Sequence, residues 1–493
     1  MTRVVPPRYT APSERWQPGE RRREVERDLL HPYFRLGFLD DKTGERFLGS
    51  LGELFGGDWS PWAKKAEVRR AEAFAQVALA SVLLPFSPLA LVVLPFLVLS
   101  RKTLWKKAVA EAQARHGPAF EAARDAYREA QRRLVGELVA AEAARDGAPR
   151  ALGAVGVTMA TSQEGAAVVA SLLGDERLAV ARVRALVRDP KSAKARALLA
   201  LDPERVTLVA CDSLDASSIA KALDGCEAAY LCTTLNRASA GAWAMGWDGG
   251  AYELAQGEAF AAACSSLPDL KQVVYGTAPL RKWPSDFVVE PPIHYAAKWA
   301  IEDALVAAGV PLTCLRKCPY HENFTKLTKS GAGPDGTWKP GTYKIKALTP
   351  PDFVYNMLDP KDIGPWAAIC FAHPELLTRD DGSGSLSVAS DCLSGTRMAE
   401  DATAAALGPA VAFDYAMQPR FLFEGLAFVE PTFVYISGLQ RWNSDGGEYD
   451  LDEAGVADLR DLHAGGTWKE HLKKDGLDQF TATMSELLPT SIK

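Results

Sequence analysis

Histidine and cysteine are scarce in this chain, seven and eight of 493 residues, and neither falls into a ligating pattern. No two cysteines form a CxxC pair, and no histidine cluster lies beside them at zinc spacing, so no metal site is expected. Cys211, Cys226, Cys232, Cys264, Cys314, Cys318, Cys370 and Cys392 read as reduced, mostly buried thiols, which excludes a disulfide scaffold. Charge of one sign is also lacking: 56 Lys and Arg face 62 Asp and Glu, a net of −6, which argues against nucleic acid as a partner. The 47% hydrophobic and 24% charged fractions exclude a disordered or collagen-like chain. The length exceeds what one hydrophobic core usually organises, so two or three domains are expected.

The first residues, MTRVVPPRYTAPSERWQPGERRREVERD, contain no apolar run of the secretory kind. Arg3 and Arg8 precede any acid, which permits an organelle transit peptide; a solvated arm accounts for the same composition. The long hydrophobic run is 73–100, AFAQVALASVLLPFSPLALVVLPFLVLS, which carries no charge. As one helix it would extend roughly 42 Å, enough for a bilayer core of about 30 Å. Pro85, Pro88 and Pro95 interrupt it, however, and both flanks are basic: Lys64, Lys65, Arg69 and Arg70 before, Arg101, Lys102, Lys106 and Lys107 after. Basic residues favour one side of a membrane, so a hairpin turning at the proline pair fits best, with a single span or a buried helical pair as alternatives. From 103 to 144 Phe120, Tyr127, Leu134 and Leu138 recur at helical spacing as a packing face, with a break expected at Gly117-Pro118. ARDGAPRALG, 144–153, reads as a linker.

Beyond it, short apolar runs alternate with helical patterns. Strands are expected at Ala154–Thr158, Val183–Val187, Val206–Ala210, Ala228–Cys232, Gln272–Tyr275 and Leu312–Leu315. Helices are expected at Gly165–Leu173, Lys191–Ala200, Ser217–Leu223, Gly257–Ser265 and Ala296–Ala308. This alternation predicts an α/β fold with a doubly wound parallel sheet, whose ligands bind at the carboxyl ends of the strands. The first strand–helix junction, VTMATSQEGAAVVASLL, keeps only Gly165 of the three glycines a dinucleotide loop uses, with Met159 and Ser162 at the other two positions. Thr161, Ser162, Gln163 and Gly165 are the residues placed to meet a diphosphate. Arg188, after strand two, stands where an NAD-preferring fold carries an acid; with Lys194 it would pair with a 2′-phosphate, which points to NADP(H). Asp212 ends strand three, while Thr233, Thr234 and Thr277 end strands four and five and would face the nicotinamide side.

The segments ALVRDPKSAKARALL, VTLVACDSLDASSIAKALDGCEAAYLCTT, ELAQGEAFAAAC and IHYAAKWAIEDALVAAGVPLTCLRKCPYHENF, in this order, resemble the NmrA-like branch of the atypical short-chain dehydrogenases. The resemblance rests on His294, Tyr295, Lys298, Arg316, Glu322, Asn323 and Phe324, and on DPKDIGPWAAICFAHPE, and covers about 154–400. It implies an NADP(H)-binding Rossmann domain with a smaller C-terminal substrate region, in a family of quinone and olefin reductases, divinyl chlorophyllide vinyl reductases and redox sensors without turnover. It places Lys298 near the nicotinamide ribose, where it would assist protonation, and makes Lys298 and His294 the candidate catalytic residues; His294 stands where classical short-chain dehydrogenases carry a tyrosine four residues before that lysine. Tyr295 is one residue off, which disfavours tyrosine-driven carbonyl reduction.

The expected organisation is an N-terminal arm at 1–72, a membrane hairpin or span at 73–100, a helical linker region at 101–150, the Rossmann domain at 151–330 and a C-terminal substrate region at 331–493. In the last, FLFEGLAFVEPTFVYISGLQRW would wall a lipophilic pocket or form plain core. The expected activity is NADPH-dependent reduction of a hydrophobic conjugated substrate at a membrane, in a chloroplast or mitochondrion. The alternative is a non-catalytic redox sensor or structural subunit.

Overall fold

A computed structural model describes residues 88–145, 147–235, 249–280, 291–325, 340–378, 384–405, 410–418, 439–440, 442–443 and 449–474. The N-terminal arm, residues 73–87 of the hydrophobic run and residues 421–438 of the aromatic segment lie outside these.

The first described element is a long helix, α1 (Pro88–Ala144). It runs through Gly117 and Pro118, against the expected break. Pro118 and Ala114 are both solvent-exposed, so water can take the carbonyl that the proline leaves without its helical donor. Among the described residues no helix is long and apolar enough to cross a membrane. The expected stripe does pack: Phe120, Tyr127 and Leu138 are buried together with Val135, each such side chain contributing about 1.5–3 kcal/mol.

The following linker is shorter than expected, because Arg150–Gly153 already belong to a strand. Strand β1 (Arg150–Val157) leads into helix α2 (Gln163–Gly174) and β2 (Leu178–Val187). Then come α3 (Ala193–Leu199), β3 (Val206–Ala210), α4 (Ala216–Leu223), β4 (Ala228–Leu231), α5 (Gly249–Cys264), β5 (Gln272–Thr277), α6 (Ile293–Ala307) and β6 (Leu312–Arg316). The C-terminal part adds β7 (Gly341–Ala347), β8 (Val354–Met357), α7 (Ile363–Ala372), β9 (Ser385–Ser387), β10 (Asp391–Ser394), α8 (Gly395–Ala405) and β11 (Val411–Met417).

Seven strands form one parallel sheet in the order β3-β2-β1-β4-β5-β6-β9. The winding reverses between β1 and β4, and in sheets of this kind ligands bind at the carboxyl ends of the strands beside such a reversal. β4 and β5 are buried on both faces, as central parallel strands covered by helices must be. One core layer joins α2 and α7 to the sheet; the other joins α4, α5 and α6 to its opposite face. Helix α7, IGPWAAICFA, is apolar all round and correspondingly buried on nearly every side. The 331–493 region contributes the seventh strand, plus a parallel β7–β11 pair and an antiparallel β8–β10 pair.

The free edge of β9 is covered by α1. Gln131 donates its amide to the Ser385 carbonyl at 2.9 Å and accepts from the Ser387 N–H at 2.9 Å, as a neighbouring strand would. Tyr127 shares a hydrogen bond with the Ser387 hydroxyl at 2.8 Å, and Glu142 meets His373 at 2.6 Å and Arg177 at 3.3 Å. All eight cysteines are free thiols; five are buried and the other three half-buried.

Candidate active site

The junction after β1 keeps the shape of a glycine loop with few of its glycines. Thr158 ties β1 to β4, its N–H donating to the Tyr230 carbonyl and its hydroxyl to the Cys232 carbonyl at 3.0 Å each. Met159 then turns the chain with φ of 49°, the one positive φ outside glycine among the described residues. This left-handed conformation, cheap for glycine, costs a side-chain-bearing residue about 1–2 kcal/mol. Ser162, at the second glycine position, caps α2 by accepting from the Gly165 N–H at 3.0 Å. At the third position only glycine fits: a Cβ on Gly165 would lie 2.4 Å from the Met159 carbonyl oxygen and 2.8 Å from the Ala160 Cα. Thr161 is half-buried, and exposed Gln163 donates to Glu322 at 3.2 Å.

Two buried lysine–carboxylate pairs flank the carboxyl end of β4 and β5, one in each core layer. In the first, Lys298 of α6 donates to Glu253 of α5 at 2.8 Å and to the Thr233 hydroxyl at 3.2 Å. Thr233 donates to the same Glu253 oxygen at 2.9 Å and meets the Tyr275 hydroxyl at 3.2 Å, while the ammonium lies 5.6 Å from the Tyr275 ring centroid. Burial opposes the charge on Lys298, but Glu253, with Tyr275, Cys232 and Glu164 behind it, outweighs burial and holds the ammonium above the usual lysine range. In the second pair Lys317, just past β6, donates to Glu164 of α2 at 2.5 Å; Tyr230 adds a bond at 2.6 Å and Tyr320 one at 3.3 Å. A Cβ on Gly276 would meet the Glu164 carboxylate at 2.3 Å and the Tyr230 hydroxyl at 2.4 Å, so this cluster is seated directly on the β5 backbone. Between the pairs lies Cys232, whose thiol burial and the Glu164 charge push up to about 12, leaving it inert at neutral pH.

The remaining expected residues are spread along the sheet. Thr277 is buried and donates to Glu302 at 2.5 Å, and Arg316 closes on the same carboxylate in a fork at 3.0 and 2.8 Å. Arg188 and Lys194 are exposed at the carboxyl end of β2 and on α3. Asp212 shapes the turn after β3, accepting from Leu214 N–H at 3.0 Å. His294 is on α6 one turn before Lys298; burial and the Lys298 charge hold its imidazole well below the usual histidine range. Tyr295 packs its ring against His294 at 4.3 Å and Trp299 at 6.0 Å. The structure thus brings Thr233 and Lys298 together around Glu253, groups Ser162 with Gly165, and leaves Arg188 and Lys194 apart from both, past the carboxyl end of β2 and on α3. Among the described residues no group of three or more His, Cys, Asp or Glu could hold a metal ion.

Glu164, Glu253, Glu302 and Lys317 escape a sequence reading. For Glu253 a signal exists: with Gln256, Gly257 and Phe260 it falls at i, i+3, i+4 and i+7 on the buried face of α5.

A seven-stranded parallel sheet with a tight strand–helix turn at its winding reversal defines a Rossmann-type α/β domain. The chain belongs to the NmrA-like family, whose sequence model matches residues 153–472 and so extends the resemblance well beyond residue 400. No curated protein matches the chain. Among solved structures, it is similar to NmrA, a negative transcriptional regulator in complex with NAD, at 20% identity over 68% of this chain and 98% of that one, TM-score 0.49. It is also similar to an NADPH-dependent quinone oxidoreductase from Escherichia coli complexed with NADPH (18% identity, 65% and 98% coverage, TM-score 0.48). A third is the Citrobacter sp. triphenylmethane reductase complexed with NADP(H), at 16% identity, 65% and 99% coverage and TM-score 0.47.

Proposed function

We propose that this chain is an NADP(H)-dependent reductase acting on a hydrophobic conjugated substrate of the quinone, enone or divinyl tetrapyrrole class. The observation that carries the reading is the Lys298 ammonium, held charged and fixed by Glu253 and Thr233 at the carboxyl end of β4. The residues present fit a dinucleotide: the turn at Met159 has the glycine-loop conformation, and Gly165 lets α2 start tight against the loop backbone, where a Cβ would collide. Exposed Arg188 supports the phosphorylated form of the cofactor. When bound, NADPH would supply the hydride. Lys298 would stabilise negative charge developing on the substrate rather than give up its own proton, because Glu253 holds that proton in place. The uncharged 73–100 run supports a site that draws its substrate from a lipid phase, on the reducing side of an organelle membrane.

A sensor without turnover is the second reading. It is favoured by Ser162, whose hydroxyl takes the Gly165 N–H that a diphosphate would otherwise use, and by the side chain Met159 carries at a glycine position. The test is NADPH oxidation by the full-length protein in detergent against quinones, enones and divinyl tetrapyrroles. Turnover with any class supports the reductase; none, with nucleotide bound, supports the sensor.

A further inference from the structure

We propose that Glu253 is the positioning residue of this site, fixing the Lys298 side chain through a closed triangle with Thr233. The proposal rests on the reductase reading above.

The side chain of Glu253 is 1% exposed and that of Lys298 12%. The three polar groups close on one another: Lys298 to Glu253 at 2.8 Å, Thr233 to Glu253 at 2.9 Å, Lys298 to Thr233 at 3.2 Å. The Tyr275 ring lies beneath the ammonium. A carboxylate at a buried helix position is disfavoured unless paired, so each charge makes the other tolerable. The groups facing Lys298 come from several neighbouring elements: Glu253 from α5, Cys232 and Thr233 from just past β4, Tyr275 from β5, Glu164 from α2, and His294 from its own helix. Of these, Glu253 is the carboxylate in contact. Burial alone drives a lysine toward its neutral form, and Glu253 opposes that. Glu253 therefore acts through Lys298: it sets the charge and place of a group that meets the nicotinamide end of the cofactor.

The experiment measures NADPH affinity from nucleotide fluorescence between about pH 6 and about pH 10, in the full-length wild type, Glu253→Gln, Lys298→Met and the double variant. The wild-type affinity is expected to stay flat into the alkaline range. Glu253→Gln should lose roughly tenfold in affinity as pH rises, since its lysine now sheds its proton within the range. That alkaline loss should vanish in the double variant, which has no lysine to titrate. A Glu253→Gln profile that superimposes on the wild type overturns the proposal while leaving the reductase reading intact; so does an alkaline loss that persists in the double variant. If the wild type binds no NADPH at all, the reductase reading fails and the proposal with it. Should Glu253→Gln not fold, the double variant decides. Folding and pH-independent binding there support the pairing, and a second failure to fold assigns Glu253 a structural role and overturns the proposal.

Discussion

Glu164 and Lys317, 153 residues apart in the chain, form a buried ion pair at 2.5 Å that joins the first turn of α2 to the end of β6. The pair fastens the nucleotide-loop helix to the far half of the sheet, and Tyr230 bonds the same carboxylate from β4 between them. Removing one partner leaves the other charge buried. Glu164→Gln should therefore cost about 3–5 kcal/mol at neutral pH, read from denaturant unfolding. The pH dependence follows from the carboxyl itself. Burial raises it, but Lys317, Lys298 and the bonds from Lys317 and Tyr230 prevail and hold it below the usual carboxylate range. Its stabilisation is complete above the unfolded value of about 4.3 and is lost as pH falls through the depressed folded value. The gap between wild type and Glu164→Gln should narrow in that acid window, and a constant gap would contradict it.

Met159 offers a second test, in the backbone. At φ of 49° a glycine is unstrained, so Met159→Gly should hold or raise stability by up to about 1 kcal/mol despite the lost side chain. Met159→Val, whose branched Cβ fits this region worst, should lose about 1–3 kcal/mol. In thermal melts Met159→Gly should unfold no lower than the wild type, and Met159→Val clearly below it.

Gly165→Ala is expected to be far more damaging than a methyl group suggests. The new Cβ meets backbone, the Met159 carbonyl and the Ala160 Cα, and backbone cannot rotate away as a side chain can. Helix α2 must shift, at a cost of about 1–3 kcal/mol. NADPH affinity should fall with it, and a variant with wild-type stability and affinity would place the loop elsewhere.

Cofactor preference tests Arg188. Arg188→Ala should weaken NADPH roughly ten- to hundredfold and leave NADH nearly unchanged, because a charge-assisted contact of about 1.5–3 kcal/mol to the 2′-phosphate is lost. Equal affinity of the wild type for both nucleotides would exclude that role.

The alternating half was legible residue by residue where apolar runs were bounded by turns: β3 occupies Val206–Ala210 as expected, and β6 extends the expected strand by one residue, to Arg316. Helix α5 was expected from Gly257 but starts at Gly249, because Glu253 and Gln256 on its buried face disguise the apolar period. Strand β9 is three residues, two of them serine; its pairing depends on β6 and on Gln131, which no local pattern reveals. The site divides the same way. Lys298, Thr233 and Gly165 are fixed by order along the chain. Glu164 and Glu253 gain meaning only when helix packing buries them opposite a lysine, since a glutamate on a helix otherwise reads as a solvated face.

The hold of Gln131 on β9 has a consequence for how copies of this chain meet. An uncovered edge strand is a template on which another chain can lay a strand of its own, and repetition of that step builds aggregates. In this protein the template is answered from within, by a side-chain amide on a helix that precedes the sheet in sequence. Cleavage near Gly147 that let α1 depart would bare the β9 edge to strands of other chains.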